Sequence, residues 1–105
     1  QNIAVSRKEI QKNLRNINQL MTQVRVRPAF DQGKPDGLAL SRIRPGSIFA
    51  RMGLVDGDII QGVNDRNIST VEDVLSLYRS LKDSPEVTLR IKRGGKPTSI
   101  RYSFE

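Results

Sequence analysis

Two runs of alternating apolar and polar residues lie near the end of the chain, and they constrain the fold more than any other feature. Their apolar positions are Val87, Leu89, Ile91, Ile100, Tyr102 and Phe104. Gly94 and Gly95 lie between the runs and suit a tight hairpin turn. A period of two places the apolar side chains of each strand on one face. The sequence therefore predicts an antiparallel ribbon with an apolar face that another element must cover.

Two amphipathic segments can provide that cover. Ser6 and Glu9 have the spacing of a helix capping box, and so do Ser69 and Glu72. Apolar side chains then recur at helical spacing: Ile10, Leu14, Ile17, Met21 and Val24 in the first segment, Val71, Val74, Leu75, Tyr78 and Leu81 in the second. We expect helices over about 7–23 and 70–81. The first helix is expected to face the domain's own sheet, with packing on a partner helix as the alternative.

The remaining segments complete a single small domain. We expect a short strand from residue 24 that ends at Pro28, a loop over 31–37, a strand over 38–44 and a buried strand over 59–63. Ser47 is placed to cap a short helix that ends near Met52. The predicted fold is α+β, a small antiparallel, partly open barrel or sandwich of about five strands. Residues 6–105 form this domain, and residues 1–5 are expected to be a disordered start or linker.

The residue types argue against an enzyme. The 105 residues include no histidine and no cysteine, which removes the commonest proton-transfer group and the commonest metal ligands. Ser47 and Ser69 have better explanations as helix caps, and Ser76 lies within a helix. Asp56 and Asp58 flank a glycine, as turn residues do, without the spacing of a calcium loop. We predict no catalytic residue, no metal site and no cofactor.

The chain carries a formal charge of +7, with the excess concentrated in residues 1–27 and 90–101. A basic surface attracts anionic partners without selecting among them. The two regions contain no aromatic residue that would stack on bases, so we predict no nucleic-acid partner. No apolar run approaches the length of a membrane span, so we also predict no direct membrane insertion by these residues.

Several short motifs resemble PDZ domains in order and spacing. The matching segments are Gly37-Leu38-Ala39-Leu40, Pro45-Gly46-Ser47, Met52-Gly53-Leu54, Gly57-Asp58-Ile59-Ile60 and Val63-Asn64. The first is similar to the Gly-Leu-Gly-Phe-type loop and strand of that family. The resemblance implies a PDZ-like fold for residues 38–104, in which the helix over 70–81 borders a peptide groove. Asp65, where bacterial members commonly have glycine, and the long loop over 31–37 depart from the pattern.

The preceding segment narrows the resemblance to the C protein of type II secretion systems. It is carried by Val5-Ser6-Arg7-Lys8-Glu9-Ile10, Asn13, Leu14, Leu20, Met21, Val26, Arg27, Pro28 and Gly33. This likeness implies a non-catalytic module in the periplasmic portion of a bacterial inner-membrane protein. Its implied partners are secreted protein substrates or other secretion-system subunits, and weak self-association is possible. A regulatory PDZ module of a periplasmic or membrane-embedded protease is the alternative.

The resemblance also implies where a ligand binds. We expect an unpaired strand edge over 38–44 beside the helix over 70–81, to which a peptide adds as a further strand. The groove residues are then Gly37, Leu38, Ala39, Leu40, Ser41, Arg42, Val71, Val74, Leu75 and Tyr78. Core packing is the competing explanation for the apolar residues of the helix. Lys34 and Arg42 could attract an acidic ligand.

Overall fold

The computed structural model describes residues 2–81 and 84–105, and for five residues within its helices it describes the backbone only. Within these residues, seven strands and four helices occur. The strands are β1 (Asn2–Val5), β2 (Arg25–Asp31), β3 (Lys34–Ser41), β4 (Ile59–Val63), β5 (Arg66–Asn67), β6 (Glu86–Arg93) and β7 (Lys96–Phe104). The helices are α1 (Arg7–Leu14), α2 (Ile17–Leu20), α3 (Ile48–Arg51) and α4 (Val71–Leu81).

One mixed sheet forms the body of the domain, with strand order β1-β7-β6-β4-β3-β2 and β5 paired to β4. The predicted closing ribbon is confirmed as β6 and β7, in which Leu89 lies opposite Ile100. Gly94 and Gly95 form its turn with φ of 58° and 80°, the region that a type I′ turn requires. The α+β class is confirmed, although the sheet has more strands than the five expected and includes one parallel pair.

That parallel pair involves the start of the chain, where we expected a disordered start or linker. Asn2–Val5 instead form β1, which pairs with the outer side of β7. Val5 is buried in the main core and Ile3 packs against it, so alternate side chains anchor the strand. The Glu105 N–H donates to the Val5 carbonyl at 2.9 Å, which ties the two ends of the chain together.

The first helix begins where the capping box predicts, but the single helix expected over 7–23 is wrong. The Ser6 hydroxyl accepts from the Glu9 N–H at 3.4 Å, and α1 then ends at Leu14. Asn16 caps α2, because its Oδ1 accepts from the Gln19 N–H at 3.2 Å. A residue that caps a new turn interrupts the old helix. Ile10 nevertheless packs against the core of its own domain, as we expected.

The two later helices are confirmed. Ser47 caps α3 by accepting from the Ala50 N–H at 3.3 Å. At α4 the capping residues are one position later than predicted, since the Thr70 hydroxyl accepts from the Asp73 N–H at 3.1 Å. The Asp73 carboxylate accepts in return from the Ser69 and Thr70 amides. The longest described helix, α4, has 11 residues, and none in the described parts of the chain is long and apolar enough to cross a bilayer.

The loop expected over 31–37 is wrong, because this segment is part of a hairpin. Asp31 pairs with Lys34, and only Gln32 and Gly33 lie between them, with φ of 52° and 80°. Two successive residues in this region make the type I′ turn that suits the twist of the flanking strands. Consequently β3 begins at Lys34 and ends at Ser41, earlier at both ends than the strand predicted over 38–44.

A buried ion pair joins the turn before β4 to the end of β6. Asp58 is fully buried, and Arg93 donates to its two oxygens at 2.8 and 2.7 Å. Burial by itself raises the pKa of the Asp58 carboxyl, but the hydrogen bonds from Arg93 and the Val55 N–H outweigh it and leave the pKa below 3.8. Asp58, which was predicted as a turn residue, is therefore also a buried carboxylate that holds Arg93 by an ion pair.

Candidate functional site

The strand edge that was expected to be open is closed. Residues 38–41 pair with β2 on one side, where Val26 lies opposite Leu40 and Pro28 opposite Leu38. On the other side Leu38 pairs with Ile60 of β4. The prediction of an unpaired edge over 38–44 is therefore wrong, because the chain's own preceding strand occupies the position reserved for a peptide.

The open edge belongs to β2, which is last in the sheet order and, among the described strands, pairs with β3 alone. Leu40 exchanges backbone hydrogen bonds of 2.8 Å with Gly57 and Asp58, on the side away from β2. Because backbone groups alternate sides along a strand, Val26 directs its N–H and C=O away from β3. Pro28 directs its carbonyl the same way, and its missing N–H falls on the free edge, where β3 loses no hydrogen bond.

The groove residues predicted from β3 lie mainly in the core. Leu38 and Leu40 are 4% and 3% exposed, so they support the groove from beneath instead of meeting a ligand directly. Gly37 has φ of 114°, and a side chain there would collide with the Ile60 carbonyl, so this glycine permits close strand packing. Ala39 and Ser41 are half-buried, and Arg42 is exposed just after β3 ends.

The residues predicted on α4 divide between core and surface. Val71 packs against the apolar cluster of Leu38, Ile68 and Leu77, and Val26 of β2 packs against the same cluster. Leu75 is half-buried, whereas Val74 is 36% exposed. The side chain of Tyr78 lies outside the described residues. The edge of β2 and the helix α4 thus border one apolar cluster, and the groove lies between them.

An apolar cavity of about 240 Å³ lies between the helices, including α1, and the sheet, next to the cluster that the groove borders. Leu20 of α2, Phe49 of α3 and Val74 of α4 contribute to its walls, and β4, β6 and β7 contribute further apolar residues. Leu77 and Ile68 belong both to this lining and to the cluster on which Val26 packs. A cavity of this volume holds one large apolar side chain, whose burial is worth about 1.5–3 kcal/mol.

The turn that leads into β2 does not resemble an anion nest. The Thr22 N–H donates to the Gln19 carbonyl and the Gln23 N–H to the Leu20 carbonyl, both at 3.1 Å. These amides complete the last turn of α2. Capture of a free peptide carboxylate relies on successive unbonded N–H groups, and residues 22 and 23 do not provide them.

At the hairpin end of β2, charged side chains pair with one another. Lys92 donates to Asp36 at 3.1 Å and lies 3.8 Å from Asp31. The hydrogen bonds from Lys92 and Gln61 hold the pKa of the Asp36 carboxyl below 3.8, and those with Asp36 raise the pKa of the Lys92 ammonium. Two carboxylates and one ammonium leave this cluster with one net negative charge, and exposed Lys34, which lies opposite Asp31, offsets it. Within residues 2–81 and 84–105 no group of three candidate metal ligands comes together.

Sequence reasoning missed the residues that form the open edge and the cavity. They are Val26, Pro28, Leu20, Phe49 and Leu77. Pro28 was used as the end of its strand, and this prediction is wrong because β2 continues to Asp31. Proline within a strand is confined to edges, bulges or strand ends, and here it marks the edge. Gln32-Gly33 was a second signal, since a two-residue turn would have continued the preceding strand into a hairpin.

The chain is similar to known proteins throughout its length. A family model of the PDZ domain matches residues 40–93. The periplasmic pH-dependent serine endoprotease DegQ of Escherichia coli is 26% identical over 97 residues, which are 92% of this chain. A probable periplasmic serine protease of the do/HhoA-like type from Haemophilus influenzae is 36% identical over 62% of this chain. The chain spans only 21% and 14% of the lengths of these relatives.

Solved PDZ domains of secretion proteins share the fold. The PDZ domain of EpsC from Vibrio cholerae has a TM-score of 0.60 and 23% identity, with 93% of this chain and 90% of that chain covered. The PDZ domain of the pullulanase C protein of the Klebsiella pneumoniae type II secretion system, solved in complex with fatty acid, has a TM-score of 0.55 and 24% identity, with 90% of this chain and 98% of that one covered. With more than half of its residues matched by the family model, the chain belongs to the PDZ domain family.

Proposed function

We propose that this chain is a non-catalytic module that binds an extended polypeptide segment as an added strand on the free edge of β2, next to α4. The observation that carries the proposal is the outward direction of the Val26 N–H and C=O groups on a terminal strand. An unpaired strand edge beside an apolar helix face is the arrangement used in strand addition.

The edge offers few hydrogen bonds. Val26 supplies one donor and one acceptor, Pro28 supplies one more acceptor but no donor, and Phe30 supplies a further donor and acceptor. Five bonds at about 0.5–1.5 kcal/mol each do not overcome the ordering of a flexible peptide by a wide margin. Weak, reversible binding is the expected result, and the ligand needs an apolar anchor in the cavity to add to it.

The groove suits an internal segment better than a free carboxyl end. The amides of Thr22 and Gln23 are already bonded to carbonyls of α2. A terminal carboxylate placed there would lose water without gaining a full set of donors. A peptide whose ends are chemically blocked should therefore bind as well as one with a free carboxyl end.

For the parent protein we propose a role in a type II secretion system. It is supported by the N-terminal residues that resemble the type II secretion C protein and by a shared fold that covers 93% of this chain. In this role the domain lies in the periplasm, on a membrane-anchored protein, and contacts secreted substrates or other subunits. A PDZ module of a periplasmic protease is the alternative, supported by the DegQ-type relatives.

Amide exchange measured by NMR tests the strand-addition step. A blocked decapeptide with a central leucine should slow hydrogen exchange of the Val26 amide and shift the resonances of α4. Val74→Asp places a carboxylate in the apolar wall and should weaken binding about tenfold or more. Ser76→Asp, an exposed change on the same helix, adds the same charge and is the matched control. A peptide that binds without protecting Val26 would rule out strand addition.

A fatty acid chain is a second candidate ligand. The lining of the cavity is mainly apolar, with Arg7, Gln11 and Asn13 as its polar members, and the Klebsiella relative was solved in complex with fatty acid. Palmitate should then bind with shifts at Leu20 and Leu77 but without protection of the Val26 amide, and Val74→Asp should weaken it as well. Competition between palmitate and the decapeptide would show that the anchor and the lipid share one cavity.

A further inference from the structure

Two arginines flank Val26, the residue of β2 whose backbone N–H and C=O face the free edge. Arg25 and Arg27 are exposed on either side of Val26, and Arg42 and Arg44 are exposed just beyond the end of β3, which lies next to Arg25. The ion pairs found within the described residues involve Arg51, Lys92 and Arg93, and none of the four exposed arginines is among them. One carboxylate lies among these arginines, since Asp56 accepts from the Ile43 N–H at 2.9 Å. With four arginines and one acid, this end of the free edge is still strongly cationic.

Side chains alternate between the two faces of a strand, so the positions of these arginines predict a pattern of residues in a ligand. Val26 shares its face with Leu40 and packs on the cluster below α4, so Arg25 and Arg27 lie on the opposite, outer face. In a strand added antiparallel to β2, the residue opposite Val26 points toward the groove. Its two neighbours then point to the outer face, opposite the two arginines.

We propose that the preferred ligand of this domain is an extended segment in which two acidic residues flank one apolar residue. The apolar residue faces α4 and the cavity, and the two carboxylates pair with Arg25 and Arg27. The proposal deepens the strand-addition function above and rests on it. Guanidinium and carboxylate groups form paired, charge-assisted hydrogen bonds, which makes an acidic side chain the best match for each arginine.

The charges at the opposite end of β2 determine over which end of the strand the acidic residues of the ligand lie. The Asp31 side chain is 62% exposed there, and its nearest cation, Lys92, is also bonded to Asp36. Exposed Phe30 lies beside it. Exposed Lys34 lies opposite Asp31, so an acidic residue above this end would meet one cation beside a carboxylate. Arg25 and Arg27 present two cations to the ligand, so its acids belong over the Arg25 end.

The test uses four blocked decapeptides that differ only at their centre: Asp-Leu-Asp, Asn-Leu-Asn, Lys-Leu-Lys and Leu-Asp-Asp. Affinities are measured by NMR titration at low and at high salt. Asp-Leu-Asp should bind about 3- to 10-fold more tightly than Asn-Leu-Asn at low salt, as two exposed ion pairs allow, and the difference should shrink as salt screens the charges. Leu-Asp-Asp should fall between them, because only one acid flanks the anchor.

Charge reversal identifies the residues responsible. Arg25→Glu with Arg27→Glu should abolish the preference for Asp-Leu-Asp and favour Lys-Leu-Lys. Lys96→Glu with Arg101→Glu changes the net charge equally on exposed positions of β7, and it should leave the preference intact.

Each outcome is decisive for one of the two proposals. If Asp-Leu-Asp and Asn-Leu-Asn bind equally while both protect the Val26 amide, strand addition stands and the acidic preference is overturned. The preference is also overturned if Leu-Asp-Asp binds as tightly as Asp-Leu-Asp, or if the β7 control removes the selectivity as fully as the β2 variant does. If no peptide protects the Val26 amide, the proposed function itself fails.

Discussion

Replacing Arg93 by methionine removes the partner of a carboxylate that water cannot reach. Asp58 is fully buried and accepts three hydrogen bonds, two from Arg93 and one from the Val55 N–H at 3.0 Å. Arg93 also donates to the Gly53 carbonyl at 2.9 Å. Methionine preserves much of the apolar stem but no donor, so Asp58 keeps one of its three bonds and no counter-charge.

The magnitude follows from this burial. Removing one member of a buried ion pair costs about 3–5 kcal/mol, and the Arg93 side chain is 35% exposed, so the lower end of that range applies. A loss of about 3 kcal/mol is a large part of the roughly 5–15 kcal/mol that stabilises a small domain. With a urea dependence of about 1.5 kcal/mol per molar, the unfolding midpoint should fall by about 2 M.

The effect should depend on pH. In the wild type the folded-state pKa of Asp58 is lowered, so the pair stabilises the fold above the unfolded-state pKa and this contribution is lost as the pH falls through the folded-state value. In Arg93→Met the unpaired, buried carboxyl has a raised pKa, and its penalty disappears once it is protonated. The difference in unfolding free energy between the two proteins should therefore be largest near neutral pH. It should shrink as the pH falls from the raised pKa of the variant toward the lowered pKa of the wild type.

Urea unfolding followed by circular dichroism at pH 7 and pH 3 measures both quantities. The double variant Arg93→Met with Asp58→Asn is the control, because it leaves no unpaired charge and should be more stable at pH 7 than Arg93→Met alone. A loss below about 1 kcal/mol at pH 7, or an equal loss at both pH values, would refute the assignment of Asp58 as a buried charge held by Arg93.

Two further stability predictions follow from the backbone. Gly37→Ala should cost at least about 2 kcal/mol more than Gly46→Ala, since both have positive φ but only the first would meet the Ile60 carbonyl; equal midpoints in urea would contradict this. Thr70→Ala should lower the unfolding free energy by about 1 kcal/mol, whereas Ser69→Ala should change it by less than half as much, because Thr70 caps α4; the opposite order would restore the capping box predicted at Ser69.

Local chemistry made most of the elements predictable. The β6–β7 ribbon depends on alternation and a glycine turn, and both signals lie within 20 residues. The helices α3 and α4 depend on a cap followed by apolar residues at helical spacing. The errors were also local: Asn16 divides the first helix, and Gln32-Gly33 forms a two-residue turn within what was expected to be a loop.

The site was less predictable than the elements around it. Val71, Val74 and Leu75 were identified on the correct helix, and whether they contact a ligand stays a prediction. The strand was misassigned, because residues 38–41 are apolar and were placed at the groove by resemblance. Their apolar character reflects the two-sided pairing of β3 and the core beneath it, not an open edge.

The sequence alone determined most of the strands and helices, since periodicity, caps and turn residues act between near neighbours. It did not determine β1, whose strand conformation depends on pairing with the distant β7. The absence of histidine and cysteine is also a property of the sequence alone, and it means that no site on these residues can use an imidazole or a thiolate group. Only the tertiary structure decided which strand edge is free. That property depends on which strands lie side by side, and β3 is covered because β2 folds back on it while β2 has no further neighbour among the described strands. The cationic face beside Val26 arises from the same pairing.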